Sequence, residues 1–234
     1  MRATLQRKAM VEALLAAYRQ GAFPMADPDS GRIDFYTADP RGVFDLRINT
    51  PMRVSRSLSR RLRSGWFELR ADTAFESVVR ACAEPRRDDD RTWISERILE
   101  WSVALHGAGH AHSIETWRRD PATGEEALVG GVYGVCLGGA FFGESMFSRP
   151  RPRLASGERH PLDGTDASKV ALHALLTHLK SRGYTLFDAQ FSNPHIARLG
   201  CAEIPLQTYL DWLDEAIDAD VAWGSFTPEP IAAA

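Results

Sequence analysis

The chain has 234 residues, 44% hydrophobic and 25% charged, with a formal net charge of -3. That charge excludes a polycation, so any nucleic-acid contact must come from a local basic patch. No apolar run reaches the ~20 residues a bilayer-spanning helix needs, and Cys82, Cys136 and Cys201 are too scattered for a CxxC zinc pair or a disulfide framework.

The opening Met1-Arg2-Ala3-Thr4-Leu5-Gln6-Arg7-Lys8 leads into an amphipathic segment and not into a signal peptide, so a cytoplasmic location is expected. A first helix is expected from near Gln6 to Arg19, with Val11, Leu14, Leu15 and Tyr18 as its apolar stripe and Gly21 as its stop. Pro24, Pro28, Ser30 and Gly31 mark a turn-rich stretch. Ile33–Tyr36 and Val43–Leu46 read as short strands either side of the turn Asp39-Pro40-Arg41-Gly42. Then comes a basic segment, Arg53, Arg56, Arg60, Arg61 and Arg63, with no acidic residue between Met52 and Trp66. Helical spacing sets several of these guanidiniums on one face, which fits phosphate contact or a plainly solvated surface equally well.

Trp66–Arg70 reads as a strand, and Thr73 with Glu76 as a capping box for a helix through Val78 and Val79. A charged loop spans 83–90. Ser95 is placed to cap a helix through Ile98, Trp101 and Leu105 that ends at Gly107. Three strand-like runs follow, His112–Trp117, Leu128–Leu137 and Ala140–Phe147; the turn with Pro121 and Gly124, and then Gly138-Gly139, make them an antiparallel meander. After a polar loop at 149–164, Asp166 or Thr165 opens a helix through Val170, Leu172, Leu175, Leu176 and Leu179, closed by Gly183. Thr185–Gln190 is a strand, His195–Leu199 a short helix ending at Gly200, and Leu206–Ile217 a last helix; the tail from Ser225 has no evident structure. This order gives an α+β fold with a mixed, mostly antiparallel sheet in residues 65–234, preceded by a small N-terminal α/β domain, residues 1–64.

Some positions carry chemistry on their own terms. Glu144 sits in Phe141-Phe142-Gly143-Glu144-Ser145-Met146-Phe147, where a carboxylate is costly to bury without a partner, so it is either a functional acid or half of a salt bridge. Asp188 and Gln190, two apart on one strand, share a face, which makes a site or a solvated strand end. His106, His110 and His112 do not form a metal site by spacing, because Gly107 and Gly109 break the helix and no carboxylate completes the set. There is no GxxxxGK[ST] or GxGxxG phosphate loop and no nucleophile elbow.

Several separated blocks, in order, carry a family resemblance: Tyr18-Arg19-Gln20-Gly21-Ala22-Phe23-Pro24-Met25, Tyr36-Thr37-Ala38-Asp39-Pro40-Arg41, Thr92-Trp93-Ile94, His110-Ala111-His112-Ser113-Ile114-Glu115-Thr116-Trp117, Leu128-Val129-Gly130-Gly131-Val132-Tyr133-Gly134, Phe142-Gly143-Glu144-Ser145-Met146-Phe147, Ala167-Ser168-Lys169 and Asp188-Ala189-Gln190. In these the chain resembles the bacterial leucyl/phenylalanyl-tRNA–protein transferases. The resemblance implies a GNAT-like acyltransferase fold. It implies transfer of Leu or Phe, and in some cases Met, from aminoacyl-tRNA to acceptor proteins with N-terminal Lys or Arg, marking them for N-degron degradation. No metal, cofactor or membrane is implied, and a monomer is expected.

By resemblance, Glu144 holds the α-amino group of the aminoacyl moiety. Asp188 orients Gln190, which contacts the attacking amine. Tyr36, Trp93, Val132, Phe141, Ser145 and Phe187 surround the amino-acid side chain, with an aromatic ring stacking on the terminal adenine. Arg53, Arg56, Arg60, Arg61 and Arg63 meet tRNA phosphates, helped by Arg149, Arg151 and Arg153. The chain departs from the family pattern at Phe35-Tyr36, in place of a tryptophan pair, at Val132 for methionine, at Ser102 for tyrosine, and in extra residues at 149–164. Two alternatives stay open. A CoA-dependent N-acetyltransferase would need a [RQ]xxGx[GA] loop, absent ahead of Ala167–Leu179. A non-catalytic tRNA-binding module would have no use for Glu144, Asp188 and Gln190 together.

Overall fold

The structure is a computed structural model and describes residues 2–85 and 91–228. Helix α1 (Arg2–Arg19) begins earlier than its apolar stripe requires and stops where Gly21 takes a left-handed φ of 73°. The proline-containing stretch expected as turns instead holds strand β1 (Phe23–Ala26), which pairs antiparallel with β2 (Ile33–Tyr36), Phe23 opposite Tyr36. A two-stranded ribbon has open edges, so the missing N–H of Pro24 breaks no ladder. Strand β3 (Arg41–Asp45) follows, then α2 (Arg56–Arg63), whose cap Ser55 accepts from the Leu58 N–H.

Strand β4 (Glu68–Ala71), helices α3 (Phe75–Ala83) and α4 (Glu96–Gly107), and the meander β5 (Ala111–Arg119), β6 (Glu126–Leu137) and β7 (Ala140–Ser148) match the expected order. Ser95 caps α4 as expected. The Thr73–Glu76 capping box does not form. A buried carboxylate from β5 does that work: Glu115 accepts from the Thr73 hydroxyl, the Ala74 N–H (2.8 Å), the Ser113 hydroxyl (3.0 Å) and the Trp117 indole N–H (3.1 Å). The charged loop expected at 83–90 lies for the most part outside the described residues.

Helix α5 (Ala167–Ser181), β8 (Leu186–Gln190), α6 (Pro194–Leu199), β9 (Ala202–Ile204) and α7 (Leu206–Ile217) complete the chain. Asp166 precedes α5 without capping it; its carboxylate binds Lys169 at 2.7 Å. Among the described residues the main sheet has seven strands in the order β4-β5-β6-β7-β8-β3-β9. Every neighbouring pair is antiparallel except β7 and β8, which are parallel and joined through α5. This is a mixed α+β fold on a mostly antiparallel open sheet. Within residues 1–64, β3 leaves its own neighbours and inserts between β8 and β9.

Strand alternation sorts the core onto two faces. On one, Val43, Tyr133, Val135, Phe142 and Leu186 pack with α1, α3, α4 and α7; on the other, Phe44, Val132, Phe141 and Phe187 pack with α2, α5 and Trp223. Burial on both faces explains why β6, β7 and β8 are apolar along most of their length.

Candidate active site

The parallel pairing of β7 with β8 lasts only from Ala140 opposite Leu186 to Phe142 opposite Asp188. Beyond that register the ladder stops, at Gly143 and Glu144 on one side and Ala189 and Gln190 on the other. A cavity of about 440 Å³ opens there, lined by these four residues. Its apolar wall comes from Phe44, Val132, Met146, Leu172 and Phe187, while Phe23, Met25 and Trp93 close it from the β1–β2 side. Gly143 is required here: a Cβ would stand 2.3 Å from the Phe187 ring.

Asp188 is fully buried, and its ion pair with Arg41, itself fully buried, spans the β3–β8 joint. Oδ1 accepts from Arg41 Nε (2.8 Å) and from the Gln190 backbone N–H (2.8 Å), and Oδ2 from Arg41 Nη2 (2.6 Å) and the Tyr209 hydroxyl (2.7 Å). Asp188 therefore holds Gln190 through the backbone and not through the amide. That bond helps fix Gln190 at a φ of 56°, a left-handed conformation costing roughly 1–3 kcal/mol in a non-glycine residue. The turn of the backbone aims the Gln190 side chain into the opening. In the orientation its neighbours demand, the amide nitrogen donates to the carbonyls of Gly143 (2.9 Å) and Ala189 (3.1 Å). Both amide protons are used, and the amide oxygen is left to accept from a ligand.

Glu144 meets the Tyr18 hydroxyl of α1, which donates to Oε1 at 2.8 Å. Burial pushes the Glu144 carboxyl up to about 7; the Tyr18 bond opposes this, repulsion from Asp188 adds to it, and Arg41 pulls it down. The same burial, with Glu144 beside it, drives the Tyr18 hydroxyl well above its ordinary range, so the tyrosine stays a donor.

Of the residues expected at the site, Trp93, Val132, Glu144, Ser145, Phe187 and Gln190 line one cavity. Phe141 lies beneath it, fully buried and stacked on Phe187 at 5.6 Å between ring centres. Tyr36 is exposed on the hairpin, opposite the cavity-lining Phe23. The contributors not foreseen as site residues include Arg41, read as part of a turn, Tyr18, read as helix core, Phe191, half exposed at the rim, and the lining residues Phe23, Met25, Phe44, Met146 and Leu172.

The basic residues divide. Arg56, Arg60 and Arg63 are exposed on α2, as is Arg53 ahead of it. Arg61 packs instead over Trp66 and Phe67, at 5.5 and 5.8 Å from the ring centres. Trp66 also carries Arg118 and Arg159 on its ring, and its indole donates to the Asp163 carbonyl, tying α2 to the 149–164 loop.

The histidines arrange themselves in a way that spacing did not foresee, because Asp72 joins them. Ligand atoms of Asp72, His106 and His112 lie within 4.8 Å of one another, without His110. They are already engaged: His112 Nδ1 meets Asp72 Oδ2 at 2.7 Å, and His106 Nδ1 meets the Ala111 carbonyl at 2.8 Å. Burial disfavours charge on His112, but bonding to Asp72 and Cys136 outweighs it and lifts the imidazole to about 9.

Fold and site together define a mixed-sheet protein with an acid and an amide flanking an apolar pocket, in a split between two parallel strands. The family described as leucyl/phenylalanyl-tRNA protein transferase matches residues 46–214, and its N-terminal domain matches residues 10–39. Proteins named leucyl/phenylalanyl-tRNA–protein transferase are similar over nearly their whole length. The one from Rubrobacter xylanophilus is 47% identical over 91% of this chain and 97% of its own. Those from Chlorobium luteolum and Akkermansia muciniphila are 43% and 42% identical, over 91% and 88% of this chain and 98% and 95% of theirs. The chain belongs to the leucyl/phenylalanyl-tRNA–protein transferase family. Among the described residues, no helix is long and apolar enough to cross a membrane.

Proposed function

We propose that this protein transfers Leu or Phe from aminoacyl-tRNA to the N-terminal Lys or Arg of acceptor proteins in the cytoplasm, marking them for N-degron degradation. One observation carries the reading: Glu144 and Gln190 flank an apolar cavity opened by the β7–β8 split, in a chain of this family. The meander, the helix α5 and the parallel strand β8 support a GNAT-like reading of the sheet.

The aminoacyl ester is already activated, so no cofactor or covalent intermediate is needed. The work is to orient ester and amine and to stabilise the oxyanion. The side chain of the transferred amino acid enters between Val132, Phe187, Ser145 and Trp93, with Phe141 backing the wall and Tyr36 or Phe191 offering a ring to the terminal adenine. Glu144 and the amide oxygen of Gln190 receive amine N–H groups, and Asp188 with Arg41 keeps Gln190 in place. Arg53, Arg56, Arg60 and Arg63, continued by Arg151 and Arg153 on the neighbouring loop, meet tRNA phosphates, and Arg61 braces that surface from below. The boundary at residue 64 would then separate an RNA-facing unit from the catalytic one, with β3 shared between them, and the protein acts as a monomer.

The test is transfer of radiolabelled Leu, Phe or Met from charged tRNA to a peptide with N-terminal Lys or Arg. Transfer that weakens steeply with salt is expected, because phosphate contacts release counterions. Absence of transfer from all three aminoacyl-tRNAs would overturn the reading.

A further inference from the structure

We propose that Asp72, His106 and His112 bind one divalent transition-metal ion of the zinc class, at a sheet edge outside the cavity that Glu144 and Gln190 line. None of the three lines that cavity, and the transfer reaction makes no use of them.

Three elements meet at this place. Strand β4 stops at Ala71, opposite Ile114, so the first residues of β5 run past it. Asp72 stands in the gap at a left-handed φ of 57°, and the Ser113 N–H donates to its Oδ1 at 2.9 Å. His112 lies in the part of β5 that has outrun β4, and His106 lies in the last turn of α4. One ligand atom from each of the three residues lies within 4.8 Å of the other two. Asp72 Oδ2 is 2.7 Å from His112 Nδ1, and Asp72 Oδ1 is 4.0 Å from His106 Nδ1. Around a tetrahedral zinc ion, with bonds of about 2.0–2.1 Å, neighbouring donors stand roughly 3.3 Å apart. The observed spacings bracket that value, so small side-chain shifts close the site. The Ala111 carbonyl, 2.8 Å from His106 Nδ1, is placed to offer an oxygen to a fourth position.

Each of the three side chains is also fixed before an ion arrives. His106 stacks on Phe75, with 4.2 Å between ring centres and 3° between planes, and His112 stacks on Trp223 at 4.3 Å and 5°. The two imidazoles stand at 85° to one another. Asp72 is clamped by the Ser113 N–H. The rotamer ordering that a loose surface cluster would lose on binding has already taken place here. An entry path remains, because the Asp72 and His106 side chains are 25% and 30% exposed.

The donor set selects the class of ion. Two imidazole nitrogens and a carboxylate, with no thiolate among them, suit zinc, nickel or cobalt, whereas magnesium and calcium take oxygen ligands. Loading is an exchange. The proton on His112 Nδ1, shared with Asp72, and the proton on His106 Nδ1, shared with the Ala111 carbonyl, leave for solvent. Each nitrogen lone pair then goes to the ion, so two protons depart as one dication enters. The loaded ion ties the end of β4, the end of α4 and the start of β5 together.

Calorimetric titration of the full chain, stripped with a chelator and then given zinc chloride at about pH 8, tests this. One ion per chain is expected, with a Kd of about 1 μM or below, and magnesium chloride should give no heat. Asp72→Asn and His106→Gln should each weaken zinc binding at least about tenfold. His110→Gln, at a histidine outside the cluster, should leave it unchanged. Zinc at a hundredfold excess over Kd should raise the Tm of wild type by roughly 5–10 °C. A readout on wild type alone does not depend on whether the variants fold: in imidazole 15N spectra, zinc should move the ring signals of His106 and His112 and leave the other five of the seven histidines in place. Cobalt in place of zinc should give visible d–d bands without the near-ultraviolet band of a thiolate ligand. The proposal is overturned if zinc binds no tighter than about 100 μM, if either variant keeps wild-type affinity, if the histidine signals that move are others, or if the thiolate band appears and makes Cys136 a ligand.

Discussion

Arg41 and Asp188 are 147 residues apart in the chain, yet each is fully buried against the other. A buried pair contributes little net stability, but an unpaired partner left behind costs about 3–5 kcal/mol. Asp188 was visible as an anomaly, an acid inside the strand Thr185–Gln190; Arg41 was not, because it was read as part of a turn and only the structure opens β3 with it. Their pairing was not visible either, because nothing local joins them. Glu144 was legible for the opposite reason: its cost is local, an acid in an aromatic strand. That cost has a sign. A glutamate in an unfolded chain ionises near 4.5, and in this fold near 7. Below the lower value both states hold the proton; between the two only the folded state does; above 7 both are ionised and the fold bears the whole penalty. Stability should therefore fall as pH rises from about 4.5 to about 7, by up to a few kcal/mol. Urea denaturation of Glu144→Gln should show it more stable than wild type at pH 8 and nearly equal at pH 5. A gap of the same size at both pH values would contradict the burial argument.

Helix and strand positions were largely legible wherever the period was long or the cap was local. Ser95 and Gly21 act as their residue types dictate, and α7 spans Leu206–Ile217 as its pattern predicts. Misses came where a distant element intervened. The start of α3 carries Thr73 and Glu76 at capping-box spacing, but Glu115 from the neighbouring sheet takes the same donors. A carboxylate at a helix N-terminus also meets the positive end of the helix dipole. Strand β9 is only Ala202–Ile204, too short to show a period, and exists because β3 offers it an edge. Replacing Glu115 by Ala leaves donors from Thr73, Ala74, Ser113 and Trp117 without their acceptor, and should cost about 3 kcal/mol or more. Equilibrium unfolding measures this directly; Thr73→Ala, which removes one donor and spares the acceptor, should cost nearer 1 kcal/mol. Equal losses in the two variants would mean that Glu115 does not organise the helix start.

At the scale of the molecule, one parallel joint in an otherwise antiparallel sheet makes the pocket. Antiparallel neighbours joined by tight turns stay paired, as β6 and β7 do from Leu137 opposite Ala140 to Gly130 opposite Ser148, with one shift of register between Tyr133 and Gly134 that leaves Glu144 without an opposite residue. The β7–β8 pair is joined only through α5, so it is free to part after Phe142. The order of the elements predicted a mixed sheet but not which joint would open, since that depends on Phe187 needing the space that Gly143 leaves vacant. The order of the sheet carries one more consequence, in time and not in space. A ribosome makes β3 early, but both strands that flank it come last, at Leu186–Gln190 and Ala202–Ile204. Arg41 likewise waits for its anion. The emerging chain thus holds a half-made strand and a solvated guanidinium through most of translation, and native burial of either must await the final stretch. Arrested nascent chains ending near residue 183 should stay as protease-sensitive at β3 as unfolded protein, and gain protection only once β9 has left the exit tunnel. Protection of β3 in the shorter chains would mean that it finds another partner first.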